Sequence, residues 1–311
     1  MAYTQKSSLS SDQVAFQQLA YFAFRKQPLH EDYATVRATR QSHRGSGVTF
    51  TKYTDLAQAT SALTETSDVT PVAAADSQVT VNLTEYGNAT ETTAALRGQS
   101  FLNINEDLAN LIGYNAADSP YQVVANIAYA DSTNVKYVGQ TERGALTTSD
   151  KLTSNSVREA VATLRGSAVP TWDGGSYVGF IHPDVVYDFI GATGTADLRS
   201  FQIRQDAPGV RSGEIGTFDG VRFISTARAL LVTDGGSSTN DAYGTLIMGQ
   251  QAIAKAYSTM FGPDPTVEFG PVTDRLRRFQ PIGWYAMCGY GVFRGEALYR
   301  IETTSSIGAN S

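Results

Sequence analysis

The segments Val48-Thr-Phe-Thr-Lys-Tyr53 and Val79-Thr-Val-Asn-Leu-Thr-Glu-Tyr86 both alternate apolar with polar residues. A period of two is typical of β-strands. Residues 57–78, which lie between them, are rich in Ala, Thr, Ser, Asp and Glu, include Pro71, and lack a glycine for a tight turn. The sequence therefore predicts a two-stranded hairpin from Val48 to Tyr86 with a long polar tip.

This hairpin is predicted to lack support from its own chain. An isolated two-stranded hairpin is marginally stable in water, and structureless links of this length are usually functional or disordered. At about 3.3 Å per residue, the roughly 19 residues from Val48 to the tip reach about 60 Å. The compact remainder is expected to have a radius of gyration of roughly 17 Å. We therefore expect the hairpin to be either floppy or held by another molecule, and long enough to reach a neighbour.

Charge is distributed unevenly along the 311 residues, whose net charge is −6. Residues 1–52 contain seven basic and three acidic residues, a net charge of +4, whereas residues 53–134 contain one basic and ten acidic residues, a net charge of −9. This pattern favours complementary contacts between copies, and the alternative is two solvated surfaces of opposite sign. The candidate contact residues are the basic Arg37, Arg40, Arg44 and Lys52 and the acidic Asp55, Glu65, Asp68 and Asp76.

Composition limits the classes of protein that remain. The length suggests two domains, or one with large extensions, and 41% hydrophobic residues with 17% charged residues indicate a globular chain. The single cysteine, Cys288, excludes an internal disulfide and a cysteine-rich metal site. No apolar run predicts a signal peptide or a membrane span. We expect a protein made in a reducing cytoplasm, with no membrane partner.

The first half of the chain is predicted to contain two helical regions. Ser10 to Phe24 has a helical apolar stripe. Leu29 to Gly47 is a basic tether, interpreted as a contact for nucleic acid or an acidic neighbour, or as a solvated linker. Ala94 to Ala130 is mostly helical, a rod of about 40 Å if continuous, and Pro120 predicts a kink or a restart capped by Ser119.

The second half alternates helices and strands, which predicts a mixed α/β layer. A helix over 157–164 is expected to start at Ser156. Both faces of the strand over 282–293 are apolar, so we expect it to be central and covered on both sides. Strands are also predicted over 177–181, 221–225, 243–248, 267–269 and 296–301, and short helices over 185–190 and 250–257.

No catalytic, cofactor or metal site is predicted. Gly289, Gly291 and Gly295 resemble a dinucleotide fingerprint, but the spacing is one residue too long and leads into a strand, so close packing is the better interpretation. His30, His43 and His182 have no metal-ligand spacing. Asp234, Asn240 and Asp241 do not follow the spacing of a calcium loop.

A cluster of arginines precedes the long strand. Arg275, Arg277 and Arg278 are able to bind an anion or to bridge to carboxylates of a neighbouring copy. We favour the second interpretation, because the segment lies beside the strand that completes the core.

Five strings carry a resemblance that covers nearly the whole chain. They are Phe50-Thr-Lys-Tyr-Thr-Asp-Leu56, Leu83-Thr-Glu-Tyr-Gly87, Tyr177-Val-Gly-Phe-Ile-His-Pro-Asp184, Gly213-Glu-Ile-Gly-Thr-Phe-Asp-Gly-Val-Arg-Phe-Ile224, and Asp274-Arg-Leu-Arg-Arg278 running to Gly283-Trp284. In this order and spacing, the chain resembles the major capsid protein of tailed phages, whose fold is named after phage Hong Kong 97.

The resemblance implies an α+β fold with four regions. These are an N-terminal arm (1–47), an extended loop (48–92), a peripheral domain with a long spine helix (93–151 and 263–295) and an axial α/β domain (152–262 and 296–311). It also implies a non-enzymatic shell protein that forms pentamers and hexamers and then an icosahedral head around double-stranded DNA. The protein would be part of the virion and assemble in the host cytoplasm, with portal and decoration proteins as further partners.

Two departures limit what the resemblance implies. No long helical leader precedes the arm, so we expect any scaffolding to be a separate protein. Some relatives cross-link a lysine of the extended loop to an asparagine of another copy. Here Lys52 lies at the base of the loop, no partner asparagine is identified, and we expect a plain exposed lysine.

Two alternatives remain open. A bacterial nanocompartment shell has the same fold but encloses enzyme cargo. A small-molecule α/β enzyme that uses the hairpin as a mobile lid would instead be a well-behaved monomer with a pocket.

Overall fold

The structure, a computed structural model, describes residues 30–38, 46–60, 62–63, 65–66, 68–99, 104–172, 175–191, 214–260, 262–270, 274–276 and 278–307. The helix predicted over 10–24 lies outside these residues, as do Arg40, His43, Arg44 and Arg277. The described chain divides into two units. The smaller contains residues 87–116 and 266–285, and the larger contains the others.

The described elements, in chain order, have the following bounds. The helices are α1 (Ala94–Gln99), α2 (Ile104–Ala130), α3 (Ser154–Gly166) and α4 (Pro183–Gly191). The strands are β1 (Thr35–Ala38), β2 (Gly47–Tyr53), β3 (Asp76–Asn82), β4 (Thr84–Thr93), β5 (Val135–Tyr137), β6 (Tyr177–Ile181), β7 (Glu214–Phe218), β8 (Val221–Ser225), β9 (Leu230–Val232), β10 (Ala242–Met248), β11 (Ile253–Tyr257), β12 (Thr266–Phe269), β13 (Phe279–Val292) and β14 (Leu298–Thr303).

A seven-stranded mixed sheet forms the centre of the larger unit. Its order is β5-β14-β10-β6-β8-β7, and β9 pairs with the start of β10. Every residue of β10 and β14 is buried, as expected for strands covered on both faces. The last strand, β14, lies antiparallel to β10 and so belongs to this sheet.

Helices cover this sheet with apolar side chains. Val124 and Ala128 of α2, Val157 and Leu164 of α3, and Phe189 of α4 all belong to one buried core. The start of α3 differs from the prediction. Thr153, not Ser156, is the capping residue, because its side chain accepts a hydrogen bond from the Ser156 backbone N–H at 3.3 Å.

The helix α2 runs through Pro120 without the predicted restart. A proline inside a helix removes one backbone hydrogen bond and costs about 3 kcal/mol. Pro120 itself is buried, and the turns that follow it place Val124 and Ala128 in the core. Tertiary burial therefore outweighs the local preference for a break.

The helix predicted over 250–257 is wrong, because residues 253–257 form the strand β11. This strand pairs parallel with β1 and antiparallel with the second half of β13. Alanines 254 and 256 favour a helix locally, but strand pairing on both edges decides the conformation. The pairing also shows that residues 35–38 of the predicted tether are part of a sheet.

The predicted hairpin is confirmed as β2 and β3, which pair antiparallel from Gly47 opposite Asn82 to Tyr53 opposite Asp76. The expectation that it lacks support is wrong for its base. Phe50 and Val81 are 1% and 2% exposed and pack on Ala254 and Ala256 of β11. These two alanines leave room for the hairpin, which therefore has a docked base.

Glycines allow this close approach, as the sequence predicted. A Cβ on Gly289 would lie 2.1 Å from the Asn82 carbonyl oxygen, and one on Gly291 would lie 3.0 Å from a Val81 methyl group. Real Cβ atoms do not approach backbone oxygen that closely, so Gly289 is required where β13 passes under the hairpin.

The smaller unit is built on the first half of β13. Strand β12 pairs with it from Phe269 opposite Ile282 to Thr266 opposite Tyr285, and β4 also pairs with β13. The Trp284 indole N–H donates to Asn115 Oδ1 at 2.8 Å. Along the middle of β13, Ile282, Trp284, Ala286 and Cys288 on one face are buried, and the other face is half-buried except at Gly289. The strand is therefore central, but its second face is only partly covered.

Candidate assembly surfaces

The hairpin tip (residues 54–75) is the part of the described chain that its own fold leaves most exposed. Its last backbone rung joins the Thr54 N–H to the Ala75 carbonyl at 2.9 Å, and the described residues beyond that rung form neither helix nor strand. Leu63 is 77% exposed and Val72 is 67% exposed, and Leu56 and Val69 are also exposed. Exposed apolar side chains grouped on one segment indicate an interaction surface.

The four predicted acidic contact residues lie on this segment or at its edge. Asp55, Glu65, Asp68 and Asp76 are all exposed. Asp68 accepts a hydrogen bond from the Val69 backbone N–H at 2.8 Å, and Asp76 accepts one from Gln78 at 3.3 Å. Among the residues that the structure describes, no cation is paired with any of the four. The hairpin tip therefore presents uncompensated negative charge together with apolar side chains.

The predicted basic partners are described only in part. Lys52 lies 3.5 Å from Glu296 of its own chain, with both side chains substantially exposed. Arg37 lies in β1, and Arg40 and Arg44 fall outside the described residues. The structure thus brings Lys52 to a carboxylate of the same chain, and the role of the three arginines in contacts between copies stays a prediction.

The arginine cluster before β13 also has an internal contact. Arg278 Nε lies 2.8 Å from Asp274 Oδ2, and its guanidinium stacks 5.3 Å from the centre of the Phe279 ring. The hydrogen bond from Arg278 lowers the pKa of Asp274 below its usual value. Arg275 is exposed, and Arg277 is outside the described residues. A bridge from this cluster to a neighbouring copy stays a prediction.

A shallow groove of about 450 Å³ lies in the smaller unit. Its lining includes Gly87, Gly283 and Trp284. Beside it, Val267 and Phe269 of β12 are 40% and 55% exposed. The groove is mostly apolar, and the described residues that line it include no cluster of groups suited to catalysis.

A buried anchor ties the N-terminal described residues to the larger unit. Glu31 forms an ion pair with the buried Lys255 of β11, and the Tyr290 hydroxyl donates to Glu31 at 2.9 Å. Burial, with the negative charge of Glu31 second, raises the pKa of Tyr290. Tyr33 packs edge-on against Phe180 and Trp172. The anchor makes residues 30–33 part of the folded body.

Sequence reasoning missed a second buried charge cluster in the larger unit. Arg143 donates to both carboxylate oxygens of Glu302 at 2.5 and 2.7 Å, and Arg300 Nε lies 2.9 Å from Glu302 Oε1. Arg143 and Glu302 are separated by 159 residues, so no spacing rule connects them. The hydrogen bond to Glu302 raises the pKa of Arg143, which therefore stays charged.

The other chemical candidates have structural partners. His182 accepts a hydrogen bond from the Asp184 backbone N–H at 3.2 Å, and Asp241 accepts one from the Asp234 backbone N–H at 3.0 Å. Within the described ranges, no three or more potential metal-ligating side chains cluster in one place. In the same part of the chain, no helix is both long enough and apolar enough to span a membrane.

Comparisons with known proteins identify the family. The sequence model of a family described as phage capsid protein matches residues 5–301. No curated protein sequence matches the chain. Similar solved structures include the capsid of Ralstonia phage GP4 (TM-score 0.74, 14% identity, 96% of each chain covered). The capsid of the cyanophage P-SCSP1u is also similar, with a TM-score of 0.71 and 15% identity over 94% of this chain and 93% of that chain. The capsid of Helicobacter pylori bacteriophage KHP30 matches with a TM-score of 0.69 and 11% identity over 98% of each chain. At these identities the likeness shows the fold, and it confirms the Hong Kong 97-like α+β architecture.

Proposed function

The chain belongs to the phage capsid protein family, and we propose that its copies assemble into pentamers and hexamers that close into an icosahedral shell around double-stranded DNA. It is a structural component of the virion, and its work is done by interfaces without catalysis. Assembly takes place in the host cytoplasm. Scaffolding, portal and decoration proteins are separate partners, and contact with the packaged DNA is weak and non-specific.

One observation carries this proposal beyond the family match. The hairpin tip exposes apolar side chains and unpaired carboxylates on a segment without secondary structure among its described residues. Burying one large apolar side chain contributes about 1.5–3 kcal/mol, so a segment with several of them gains most from a second molecule. Because the base of the hairpin is docked on β11, the hairpin is held at one end and free to contact a neighbour at the other.

The charge of the hairpin favours a second copy as that neighbour. Asp55, Glu65, Asp68 and Asp76 lie in a stretch of net charge −9, and residues 1–52 carry +4. The acidic hairpin of one copy docks on basic residues of the next, including Arg37, Arg40 and Arg44. Lys52 and the cluster Arg275, Arg277 and Arg278 are further contact candidates.

Assembly of the full chain tests the proposal. Purified protein is analysed by size-exclusion chromatography with light scattering, and the high-mass fraction is imaged by negative-stain electron microscopy. We expect closed shells with local five-fold and six-fold clusters of subunits. A stable monomer under every assembly condition, alone or co-expressed with the neighbouring head genes, would contradict the shell function. Terminase and portal genes beside this one, rather than a peroxidase gene, would separate a phage head from a nanocompartment.

A further inference from the structure

A polar cavity of about 330 Å³ lies in the larger unit at the end of α2. Its lining comes from that helix end, from the loop before α3 and from strands β9 and β14. The lining residues are Asn126, Tyr129, Ala130, Arg143, Leu230 and Arg300. Two arginines therefore face one cavity.

The charges around this cavity do not balance. Arg143 and Arg300 share the single carboxylate of Glu302, whose side chain is 1% exposed. Arg300 also donates from Nη1 to the Tyr129 carbonyl at the end of α2, and the carbonyl end of a helix offsets about half a charge. A positive excess remains. The Arg143 side chain is 34% exposed, so the cavity is reachable from the surface at that residue.

Apart from the Tyr129 hydroxyl, which both donates and accepts, the polar side chains that line the cavity offer hydrogen-bond donors. The Asn126 side-chain oxygen accepts a hydrogen bond from Gln122 at 2.9 Å, which leaves its amide N–H groups for the cavity. Among the described residues, the buried Arg300 Nε makes no hydrogen bond, although it lies 2.9 Å from Glu302 Oε1. Cations and donors together select an anion that only accepts hydrogen bonds, and a guanidinium matches the two oxygens of a carboxylate especially well.

We propose that this cavity binds a carboxylate from the hairpin tip of a second copy, supplied by Glu65 or Asp68. The inference rests on the shell function and names a receptor for the acidic hairpin. Glu65 and Asp68 are exposed without a paired cation in the described chain, and exposed Leu63 and Val69 flank them. The cavity has matching apolar surface in Leu230, and Leu231 beside it is 44% exposed.

The hairpin tip extends well beyond the end of β2. Glu65 lies 12 residues beyond Tyr53, the end of β2, which spans up to roughly 40 Å in an extended chain. The predicted contact with Arg37, Arg40 and Arg44 concerns a different part of the chain, so the two receptors are tested separately.

Disulfide trapping between two full-length variants tests the receptor. One chain carries Asn126→Cys, an exposed position at the cavity, and the other carries Thr66→Cys, an exposed position that leaves the carboxylates of Glu65 and Asp68 in place. The single native cysteine, Cys288, is buried. The chains are co-assembled, oxidised and sedimented as particles, and linked dimers are measured on a non-reducing gel. Since a disulfide needs Cα atoms within roughly 4.4–6.8 Å, linkage reports docking directly.

A matched control replaces Asn126→Cys with Tyr187→Cys, an exposed position on α4 of the same unit. We expect several-fold more linked dimer with Asn126→Cys than with this control. Shells that form with no more linkage than the control overturn the inference and leave the shell function standing. A third variant carries both cysteines in one chain. Linkage that forms only within this chain also overturns the inference, because the hairpin would then fill its own cavity. A wild-type chain that never forms shells overturns both.

Discussion

His30 is buried, and neither ring nitrogen has a hydrogen-bond partner among the described residues. Its ring stacks on Phe180 at 4.1 Å and meets Tyr129 edge-on at 5.9 Å. Burial lowers the pKa of His30 to about 4. From the sequence, His30 was predicted only to be one of three histidines without metal-ligand spacing. In the structure it is a neutral aromatic side chain packed in the core at the N-terminal anchor.

His30 is expected to make subunit stability sensitive to acid. The unfolded chain binds a proton near pH 6.5, while the folded chain resists it until about pH 4. The contribution of neutral His30 to the free energy of unfolding is therefore fully present above pH 6.5. It is lost as the pH drops towards 4, a decrease of about 3 kcal/mol in total. His30→Phe keeps the stacked ring and removes the titration. Its free energy of unfolding, measured by denaturant titration between pH 4 and 7, should fall less steeply than that of the wild type. If the free energy of unfolding of the variant fell with pH as steeply as that of the wild type, buried neutral His30 would not be the source of the acid sensitivity.

At the scale of elements, the hairpin combines a docked base with an exposed tip. Phe50 at the base is 1% exposed, whereas Tyr53 in the same strand is 76% exposed. The alternation of the sequence predicted the strands and their faces. It could not show what the buried face touches, because Ala254 and Ala256 are two hundred residues away and belong to a segment whose composition favours a helix.

Phe50→Ala should release the base of the hairpin. Removing a fully buried phenylalanine costs about 3–5 kcal/mol, and the amides of β2 and β3 should exchange with solvent much faster. Tyr53→Ala is the matched control, since an exposed side chain contributes within about 0.5 kcal/mol. Hydrogen-exchange mass spectrometry and denaturant unfolding measure both effects. Equal protection in the two variants would mean that the hairpin base is not docked in solution.

Gly289→Ala tests the same junction from the side of β13. The new Cβ would lie 2.1 Å from the Asn82 carbonyl oxygen, so the hairpin must shift and the unfolding temperature should drop. Gly113→Ala is the control, because apart from the backbone of α2 itself no atom lies within 4 Å of the Cβ position at Gly113. That change should stabilise the chain by about 0.5–1 kcal/mol. Tolerance of Gly289→Ala without loss would argue against the close approach.

At the scale of the whole molecule, charge is expected to control assembly. Reversing Arg37, Arg40 and Arg44 to Glu should block shell formation, because the acidic hairpin of the next copy then meets like charge. Circular dichroism and denaturant unfolding should show that the subunit still folds. Adding Asp55→Lys and Asp76→Lys to the same chain, which keeps Glu65 and Asp68 as acidic residues for the cavity at Arg143 and Arg300, should restore particles, counted after sedimentation. Normal particle yield from the arginine variant alone would refute this pairing.

The sequence by itself determined the elements whose signal is local. The period of two in Val48–Tyr53 and Val79–Leu83, the helical stripe around Val124 and the glycines of β13 all carry their meaning within a few residues. These local signals were enough to predict the hairpin, the long helix and most of the strands, and to identify the family resemblance.

Only the tertiary structure decided features that depend on residues far apart in the chain. Local composition favours a helix at 253–257, but pairing with β1 and β13 makes this segment a strand. Continuity through Pro120 depends on the burial of the turns that follow it. Arg300 and Glu302 lie in β14, which pairs with β5, and Arg143 joins them from the segment that follows β5. Long-range strand pairing brings such groups together, and local sequence patterns do not predict which distant strands will pair.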